Sequence, residues 1–262
     1  MQYFLTSSPF APGAPRLNPQ NGFVDALKRA LPAPVPALFV CADPDRHAYT
    51  DKISQEMRWA LEDAGISLSA FQVLDGRNQG DAEKLVKKAG LLVLAGGHVP
   101  TQNAFFQAAG LKQCLRFFDG VVLGISAGTM NCAATVYAQP EEEGEATDPA
   151  YRRFLPGLGI TRTMLLPHYQ MVKDSLVDSL RLFADITLPD SMGRTFYAVP
   201  DGSYLLGLNG RETLWGEAYR IRDGRMEQIS RENEVFPQSI DEVDALPAKV
   251  CKQSCDGNIN LL

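Results

Sequence analysis

The chain has 262 residues, 45% of them hydrophobic, and a net charge of −6. This length and composition suffice for one large α/β domain, and the thin acidic excess, without any block of Lys or Arg, excludes a typical nucleic-acid-binding protein. No run approaches the ~20 apolar residues that a membrane span needs, and the N-terminus lacks the pattern of a signal peptide. We therefore expect a cytoplasmic protein with no nucleic-acid or membrane partner.

The first half of the chain alternates between apolar runs and helical patterns, which is typical of βα units stacked on a parallel sheet. In chain order, the apolar runs predict strands at residues 3–6, 37–42, 68–74, 91–95 and 121–125. The helical spacing predicts helices at residues 53–64, 81–89, 103–118 and 127–137.

The second half of the chain has a different pattern. A polar stretch interrupted by Pro and Gly follows residue 137, and such stretches are typical of surface loops near sites. A strand at 163–166 and a helix at about 171–183 come next. From about 185 to 240, Asp-Gly, Asn-Gly and Asp-Gly pairs separate strand-like runs and predict β-hairpins. The whole pattern predicts a single α/β domain over residues 1–262, with a mostly parallel sheet flanked by helices and an antiparallel C-terminal extension.

The five cysteines do not indicate a disulfide framework or a metal site. Their number is odd, and three lie in apolar runs, whereas frameworks of small secreted proteins use paired cysteines. Cys251 and Cys255 have a C-x3-C spacing with no His or further Cys nearby, which is poor spacing for a metal. We expect no metal.

A candidate nucleophile lies where the fifth predicted strand turns into a helix, in the segment Gly124-Ile125-Ser126-Ala127-Gly128. In that context G-x-S-x-G is a nucleophile elbow, a tight turn that projects the Ser126 hydroxyl while the glycines leave room for strand and helix to approach. The new helix offers free N–H groups to an oxyanion, that of Ala127 first. The other interpretation is an ordinary tight βα turn, but the flanking runs favour the elbow.

A nucleophilic serine needs a base, and the chain contains only three histidines. His168 follows a strand-like segment and precedes a predicted helix, so its ring should lie at the same sheet edge as Ser126. His47, in a polar loop, fits a solvated residue. His98 follows Gly96-Gly97 at another strand end, in a segment more suited to supplying backbone donors. A partly buried structural role is the alternative for His168.

The third member of a triad is a carboxylate that orients the histidine. The loop between the predicted nucleophile helix and His168 carries four candidates, Glu141, Glu142, Glu143 and Glu145. Spacing alone does not choose among them, and a run of glutamates also fits a solvated surface. One strand earlier, Gly96-Gly97 either forms a plain turn or presents a bare backbone N–H to an oxyanion.

Taken together, these residues resemble the peptidase E and cyanophycinase family of serine peptidases. The resemblance covers about residues 91–169 and rests on LAGGHVPTQ, GISAG, the acidic loop and LPHY. It implies a fold similar to class I glutamine amidotransferases and a cofactor-free hydrolase. It also implies Ser126 as nucleophile, His168 as base, and Gly97 and Ala127 as oxyanion donors.

The resemblance also implies a triad acid and a substrate class. The peptidase E spacing falls on Glu141 and the cyanophycinase spacing closer to Glu143, and we predict Glu141. Peptidase E cuts dipeptides after aspartate and cyanophycinase cuts β-aspartyl-arginine units, so we expect a small-peptide substrate cut at aspartyl or β-aspartyl bonds through an acyl-enzyme. Two departures bear on the substrate: the family's Gly-Gly-Asn-Thr is Gly96-Gly97-His98-Val99 here, and the C-terminal ribbon is longer than a minimal dipeptidase needs.

Three other functions compete with this hypothesis. An α/β-hydrolase esterase shares the elbow and the order Ser, acid, His, but it brings its histidine from near the chain end, whereas none follows His168. A glutamine amidotransferase would have cysteine in place of Ser126. A non-catalytic binding protein would keep the fold without activity, and the presence of both Ser126 and His168 argues against it. A homodimer is compatible with the sequence.

Overall fold

The structure, a computed structural model, describes residues 1–238. Cys251, Cys255 and the last part of the predicted domain lie outside the described residues. None of the helices within residues 1–238 is both long and apolar enough to cross a membrane.

The described part of the chain is mixed α and β. The helices are α1 (Phe23–Ala30), α2 (His47–Asp63), α3 (Ala82–Lys88), α4 (Val99–Ala108), α5 (Leu111–Cys114), α6 (Ala127–Asn131), α7 (Tyr169–Val172) and α8 (Leu188–Asp190). The strands of the first half are β1 (Gln2–Thr6), β2 (Val35–Val40), β3 (Leu68–Leu74), β4 (Leu91–Leu94), β5 (Val121–Ile125) and β6 (Thr135–Tyr137). Those that follow are β7 (Phe154–Pro156), β8 (Met164–Leu166), β9 (Leu176–Val177), β10 (Leu180–Arg181), β11 (Thr195–Ala198), β12 (Tyr204–Leu208), β13 (Arg211–Trp215), β14 (Ala218–Arg222), β15 (Arg225–Ser230) and β16 (Val235–Gln238).

Eight strands form a central sheet in the order β16-β13-β12-β1-β5-β4-β2-β3. The five strands from β1 to β3 in this order are parallel, and β12, β13 and β16 continue the sheet in antiparallel pairing. All four residues of β4 are buried, as expected for a strand covered by helices on both faces. The predicted mostly parallel sheet with an antiparallel C-terminal extension is confirmed.

Side chains that alternate along the central strands form a separate core on each face of the sheet. Leu92 and Leu94 pack with Phe106 on one face, whereas Val93 packs with Leu61 on the other. A third apolar cluster joins α6 to a second sheet, and within this cluster the Tyr137 ring stacks on that of Phe196 with centroids 4.4 Å apart. The helix that follows Ser126 is therefore packed between the two sheets.

The second sheet has the order β15-β14-β11-β8, with β8 and β11 parallel and Leu166 opposite Ala198. The pairing continues beyond the strands. The Val199 N–H donates to the Leu166 carbonyl at 2.9 Å, and the Tyr169 N–H donates to the Val199 carbonyl at 3.2 Å. The segments that leave β8 and β11 consequently run side by side.

Three predicted helices differ in the structure. The helix expected at 103–118 is divided into α4 and α5, because the chain turns at Gly110, which has a left-handed backbone with φ 61°. The helix expected at 127–137 ends at Asn131, and residues 135–137 form β6, which pairs with β7. The helix expected at 171–183 is wrong: α7 is short and is followed by the hairpin β9–β10. Asp178 and Ser179 both have positive φ angles, 51° and 67°, in the turn of this hairpin, as two-residue hairpin turns with left-handed residues require.

One predicted hairpin is also different. The pairs Asn209-Gly210 and Asp223-Gly224 do join adjacent antiparallel strands. Asp201-Gly202, however, joins β11 to β12, and these strands belong to different sheets. Each of the three Asp-Gly or Asn-Gly pairs lies in a turn, but only the tertiary structure decides which strands pair after it.

Helix α6 lies unusually close to the central sheet at Gly128. A Cβ atom at Gly128 would overlap the carbonyl oxygen of Leu94, and one at Gly124 would lie 2.9 Å from the Thr129 hydroxyl. The Gly128 N–H donates to the Ala95 carbonyl at 3.1 Å. The two glycines therefore permit the short distance between strand and helix.

We expect Gly128→Ala to lower the free energy of unfolding by about 1–3 kcal/mol or more, because the backbone of β4 must move to admit a methyl group. Gly80→Ala is the matched control, since a Cβ at Gly80 would meet nothing within 4 Å. Denaturant titration of both variants measures the difference. Equal stability of the two variants would contradict this account of α6 packing.

Candidate active site

Ser126 occupies the strained turn between β5 and α6. Its backbone angles are φ 50° and ψ −112°, a region that residues other than glycine rarely adopt. The Ser126 N–H donates to the carbonyls of Thr6 and Ser7, each at 3.2 Å, which fixes the turn against the end of β1. The strand, turn and helix that a nucleophile elbow requires are all present.

The predicted oxyanion donors flank this turn. Ala127 is the first residue of α6, so its N–H has no partner within the helix. A Cβ at Gly96 would lie 3.2 Å from the Ser126 Cβ, and one at Gly97 would lie 2.5 Å from the Ala42 Cβ, so the bare loop after β4 abuts the elbow. Gly97 and Ser126 line one cavity. The assignment of Gly97 and Ala127 as oxyanion donors stays a prediction that this arrangement favours.

His168 follows β8 and is held by groups from two other strand ends. Its Nδ1 lies 2.8 Å from Asp201 Oδ1, and its backbone N–H donates to the Ser7 hydroxyl at 2.7 Å. His168 has a left-handed backbone, with φ 59°, and lines the same cavities as Ser126. Because Nδ1 faces a carboxylate, Nε2 is the nitrogen left to act as a base.

Asp201 is the carboxylate that orients His168. The Ser7 hydroxyl donates to its Oδ1 at 2.6 Å, and its backbone N–H donates to Gln170 Oε1 at 3.0 Å. Burial works to raise the pKa of Asp201, but the hydrogen bonds from His168 and Ser7 outweigh burial and hold this pKa below its usual value. Asp201 is therefore a carboxylate at neutral pH and suited to stabilise an imidazolium.

The structure thus gives His168 a different carboxylate partner from the predicted Glu141. The sequence reasoning missed Asp201 because Pro200-Asp201-Gly202 has the composition of a turn, and it missed Ser7 as well. A signal was available for both. Each residue comes just after the carboxyl end of a strand, β11 or β1, as Ser126 and His168 do.

Glu141 lies beside the site without a hydrogen bond to His168. It lines a cavity of about 300 Å³ together with Ser126 and His168. The residue is accessible from this cavity, yet burial of its carboxyl group among protein atoms, aided by the nearby Glu145, raises its pKa to about 7. Glu141 therefore takes up a proton at higher pH than Asp201, although both are carboxyl groups at one site.

Two carboxylates, Glu145 and Asp178, hold the backbone of the acidic loop by hydrogen bonds. Glu145 accepts the N–H groups of Glu141 and Glu142 at 2.8 and 3.0 Å, and it lies 2.8 Å from His98 Nε2. Asp178, in the β9–β10 turn, accepts the Gly144 N–H at 2.6 Å. His98, at which the sequence departs from the family pattern, thus connects the loop after β4 to the acidic loop.

Within residues 1–238, one group of side chains has metal-ligand chemistry: the nearest ligand atoms of His98, Glu142 and Glu145 all lie within 4.8 Å of one another. The two oxygens of Glu145 already interact with His98 and with the two backbone N–H groups. These hydrogen bonds account for the cluster, and we assign no metal to it.

His47 differs from its sequence interpretation. It is the first residue of α2 rather than a solvated loop residue, and its Nε2 is buried without a hydrogen-bond partner among the described residues. It does not line either cavity beside Ser126.

Two cavities of about 310 and 300 Å³ open on either side of Ser126 and His168. A larger cavity of about 710 Å³ lies at the opposite, amino-terminal edge of the strands, where Gln2, Gly90 and Val121 line it. None of the candidate site residues Ser126, His168 and Asp201 lines that cavity. The two smaller cavities are therefore the candidate substrate sites despite their size.

The raised pKa of Glu141 predicts a pH-dependent effect on stability. An acid whose pKa is about 7 in the folded state and near 4.5 when unfolded destabilises the fold as pH rises between these values. We expect Glu141→Gln to raise Tm at pH 8, with the gain shrinking as pH falls to 5. Thermal unfolding at both pH values measures it, with Glu143→Gln as the control from the same loop. A gain in Tm that is equal at both pH values, or that Glu143→Gln shares, would contradict a raised pKa at Glu141.

No protein-family model and no curated protein matches this sequence. Several solved structures match the fold, and two of them are described as peptidases. A peptidase from an acI-B1 Actinobacterium is 16% identical, with a TM-score of 0.62, over 90% of this chain and 96% of that one. A putative peptidase E from Listeria monocytogenes EGD-e is 14% identical, with a TM-score of 0.51, over 87% of this chain and 98% of that one. The chain has the fold of these proteins, as the sequence resemblance implied.

Proposed function

We propose that the protein is a serine-type peptidase that cleaves short peptides with the triad Ser126, His168 and Asp201. The observation that carries this proposal is the strained turn of Ser126, which shares two cavities with a histidine hydrogen-bonded to a carboxylate. A strained nucleophile turn, a base and an orienting acid are the parts that acyl transfer requires. The fold likeness to two proteins described as peptidases supports the choice of peptides as substrate.

The mechanism follows from the roles of these groups. His168 Nε2 takes the proton of the Ser126 hydroxyl as Oγ attacks the scissile carbonyl, and Asp201 stabilises the resulting imidazolium. The N–H groups of Gly97 and Ala127 hold the oxyanion. His168 then gives its proton to the leaving amine, and water, activated by the same histidine, hydrolyses the acyl-enzyme.

Short substrates suit the walls of the site. The acidic loop contributes Gln139 and Glu141 to one cavity, and residues 175–177 before the β9–β10 turn lie across from them. Since Asp178 and Glu145 fix this loop by hydrogen bonds, it restricts access to extended or folded chains. The resemblance implies cleavage at aspartyl or β-aspartyl bonds, and the lining of the two cavities is the observation that bears on this preference.

The nucleophile assignment predicts the labelling pattern of a fluorophosphonate probe. We expect one adduct per chain by intact mass, lost in Ser126→Ala and strongly reduced in His168→Ala. Ser8→Ala is the matched control, because Ser8 lines the same cavity and should label like the wild type. Labelling that persists in Ser126→Ala would show that Ser126 is not the nucleophile.

The two candidate acids predict opposite results on mutation. Asp201→Asn should slow labelling and peptide hydrolysis by about 10²–10⁴-fold, because His168 loses the carboxylate that sets its tautomer. Glu141→Gln should slow labelling by less than about 10-fold, since it makes no hydrogen bond to His168. Rates of probe incorporation, measured alongside circular dichroism, test both variants. A larger loss in Glu141→Gln than in Asp201→Asn would restore the sequence-based choice.

A further inference from the structure

The cavity of about 310 Å³ beside Ser126 has an apolar wall contributed by α2 and β2. Tyr49, Ile53 and Met57 recur every fourth residue, so they lie on one face of α2. Phe39 and Met57 are only 2% and 1% exposed and form the floor, while Phe10 closes one side. The floor of the cavity is therefore preformed by packed core side chains, whereas Tyr49 in its wall is 49% exposed.

The charges around this cavity disfavour an acidic side chain. None of its described lining residues is Lys or Arg, and His168 is the proposed base. Arg46 stacks on the Tyr49 ring, 4.7 Å from its centroid, and is not part of the lining. Glu56, at the rim, adds a negative charge. A carboxylate in this cavity would have no cationic partner and would face a like charge, which is costly.

We infer that this cavity binds a large apolar side chain, aromatic or aliphatic, of the residue next to the scissile bond. The inference rests on the proposed function and names its substrate class. The cavity begins at Ser126, Gly96 and Gly97, so a side chain entering it leaves the backbone carbonyl at the elbow. Its volume fits one Phe or Leu side chain and not a long peptide.

The size of the expected preference follows from apolar burial. Moving a Phe or Leu side chain from water into an apolar cavity favours binding by about 10- to 100-fold over a small side chain. An aspartate side chain gains no binding energy from apolar burial and loses its hydration in the cavity. We therefore expect apolar peptides to bind at least about 10-fold more tightly than matched aspartyl peptides.

Binding to Ser126→Ala measures this preference without turnover. The probes are the dipeptides Phe-Ala, Ala-Phe, Asp-Ala and Ala-Asp, titrated by calorimetry, so that both sides of the bond are sampled. At least one Phe dipeptide should bind about 10-fold more tightly than both Asp dipeptides. Tighter binding of an Asp dipeptide, equal affinities, or no binding of any dipeptide would overturn the inference.

Substitutions on α2 locate the effect. In the Ser126→Ala background, Ile53→Arg should weaken binding of the Phe dipeptide about 10-fold and strengthen that of the Asp dipeptide. Trp59→Arg is the matched control, because Trp59 is on the same helix, 59% exposed, and outside the cavity lining. Ile53→Ala serves as a milder variant, which should weaken Phe binding and leave Asp binding unchanged. Phe affinity that is unchanged in both Ile53 variants would place the apolar site elsewhere.

Hydrolysis by the wild type separates the two proposals. Absence of hydrolysis of all four dipeptides, together with absence of probe labelling, would count against the serine peptidase. The binding experiment would still show which side chain the cavity prefers, because it uses Ser126→Ala, which does not react. Faster hydrolysis of Asp dipeptides than of Phe dipeptides would instead keep the peptidase and overturn the apolar preference.

Discussion

The buried hydroxyl of Ser7 joins the two sheets at the place where the candidate site forms. Ser7 follows β1 of the central sheet, whereas His168 and Asp201 follow β8 and β11 of the second sheet. The hydroxyl accepts the His168 N–H at 2.7 Å and donates to Asp201 at 2.6 Å. Hydrogen bonds to a charged group contribute more than neutral ones, about 1.5–3 kcal/mol each. This junction fixes the base and its acid relative to the elbow, on which the proposed chemistry depends.

Five strand ends meet at this junction, and each contributes a group with a different task. The ends of β1, β4 and β5 bring Ser7, Gly97 and Ser126, and those of β8 and β11 bring His168 and Asp201. Parallel strands place their carboxyl ends at one edge, which is why ligands in α/β proteins bind there. Here the edge is shared between two sheets, so neither sheet alone would hold a complete triad.

Asp201 and Glu141 show how environment divides the roles of two like side chains. Asp201 receives hydrogen bonds from His168 and Ser7, so its pKa stays low and its charge is available to an imidazolium. Glu141 is accessible from the cavity, but protein atoms around its carboxyl group and the nearby Glu145 raise its pKa to about 7. A pair of carboxyl groups with separated pKa values is typical of sites in which each has its own function. Glu141 lines a cavity with Ser126 and His168 but makes no hydrogen bond to the histidine.

Local sequence signals predicted the parallel sheet and the elbow because both depend on short-range patterns. The apolar runs at 68–74 and 121–125 match β3 and β5 at both ends, and Gly128 permits the close helix that the motif anticipates. The helix at 171–183 was wrong because its helical spacing competes with a turn at Asp178 and Ser179. That turn is stabilised by contacts with the distant acidic loop, which no local pattern contains.

The sequence by itself therefore determined the parallel strands of the central sheet and the strand, turn and helix around Ser126, and its three histidines leave few candidates for a base. Only the tertiary structure shows which carboxylate lies against His168. Glu141 is closer to Ser126 in the chain, but the parallel pairing of β8 with β11 brings Asp201 beside His168, 33 residues away. A hydrogen-bond partner is chosen by strand pairing between distant segments, and spacing along the chain carries no information about that pairing.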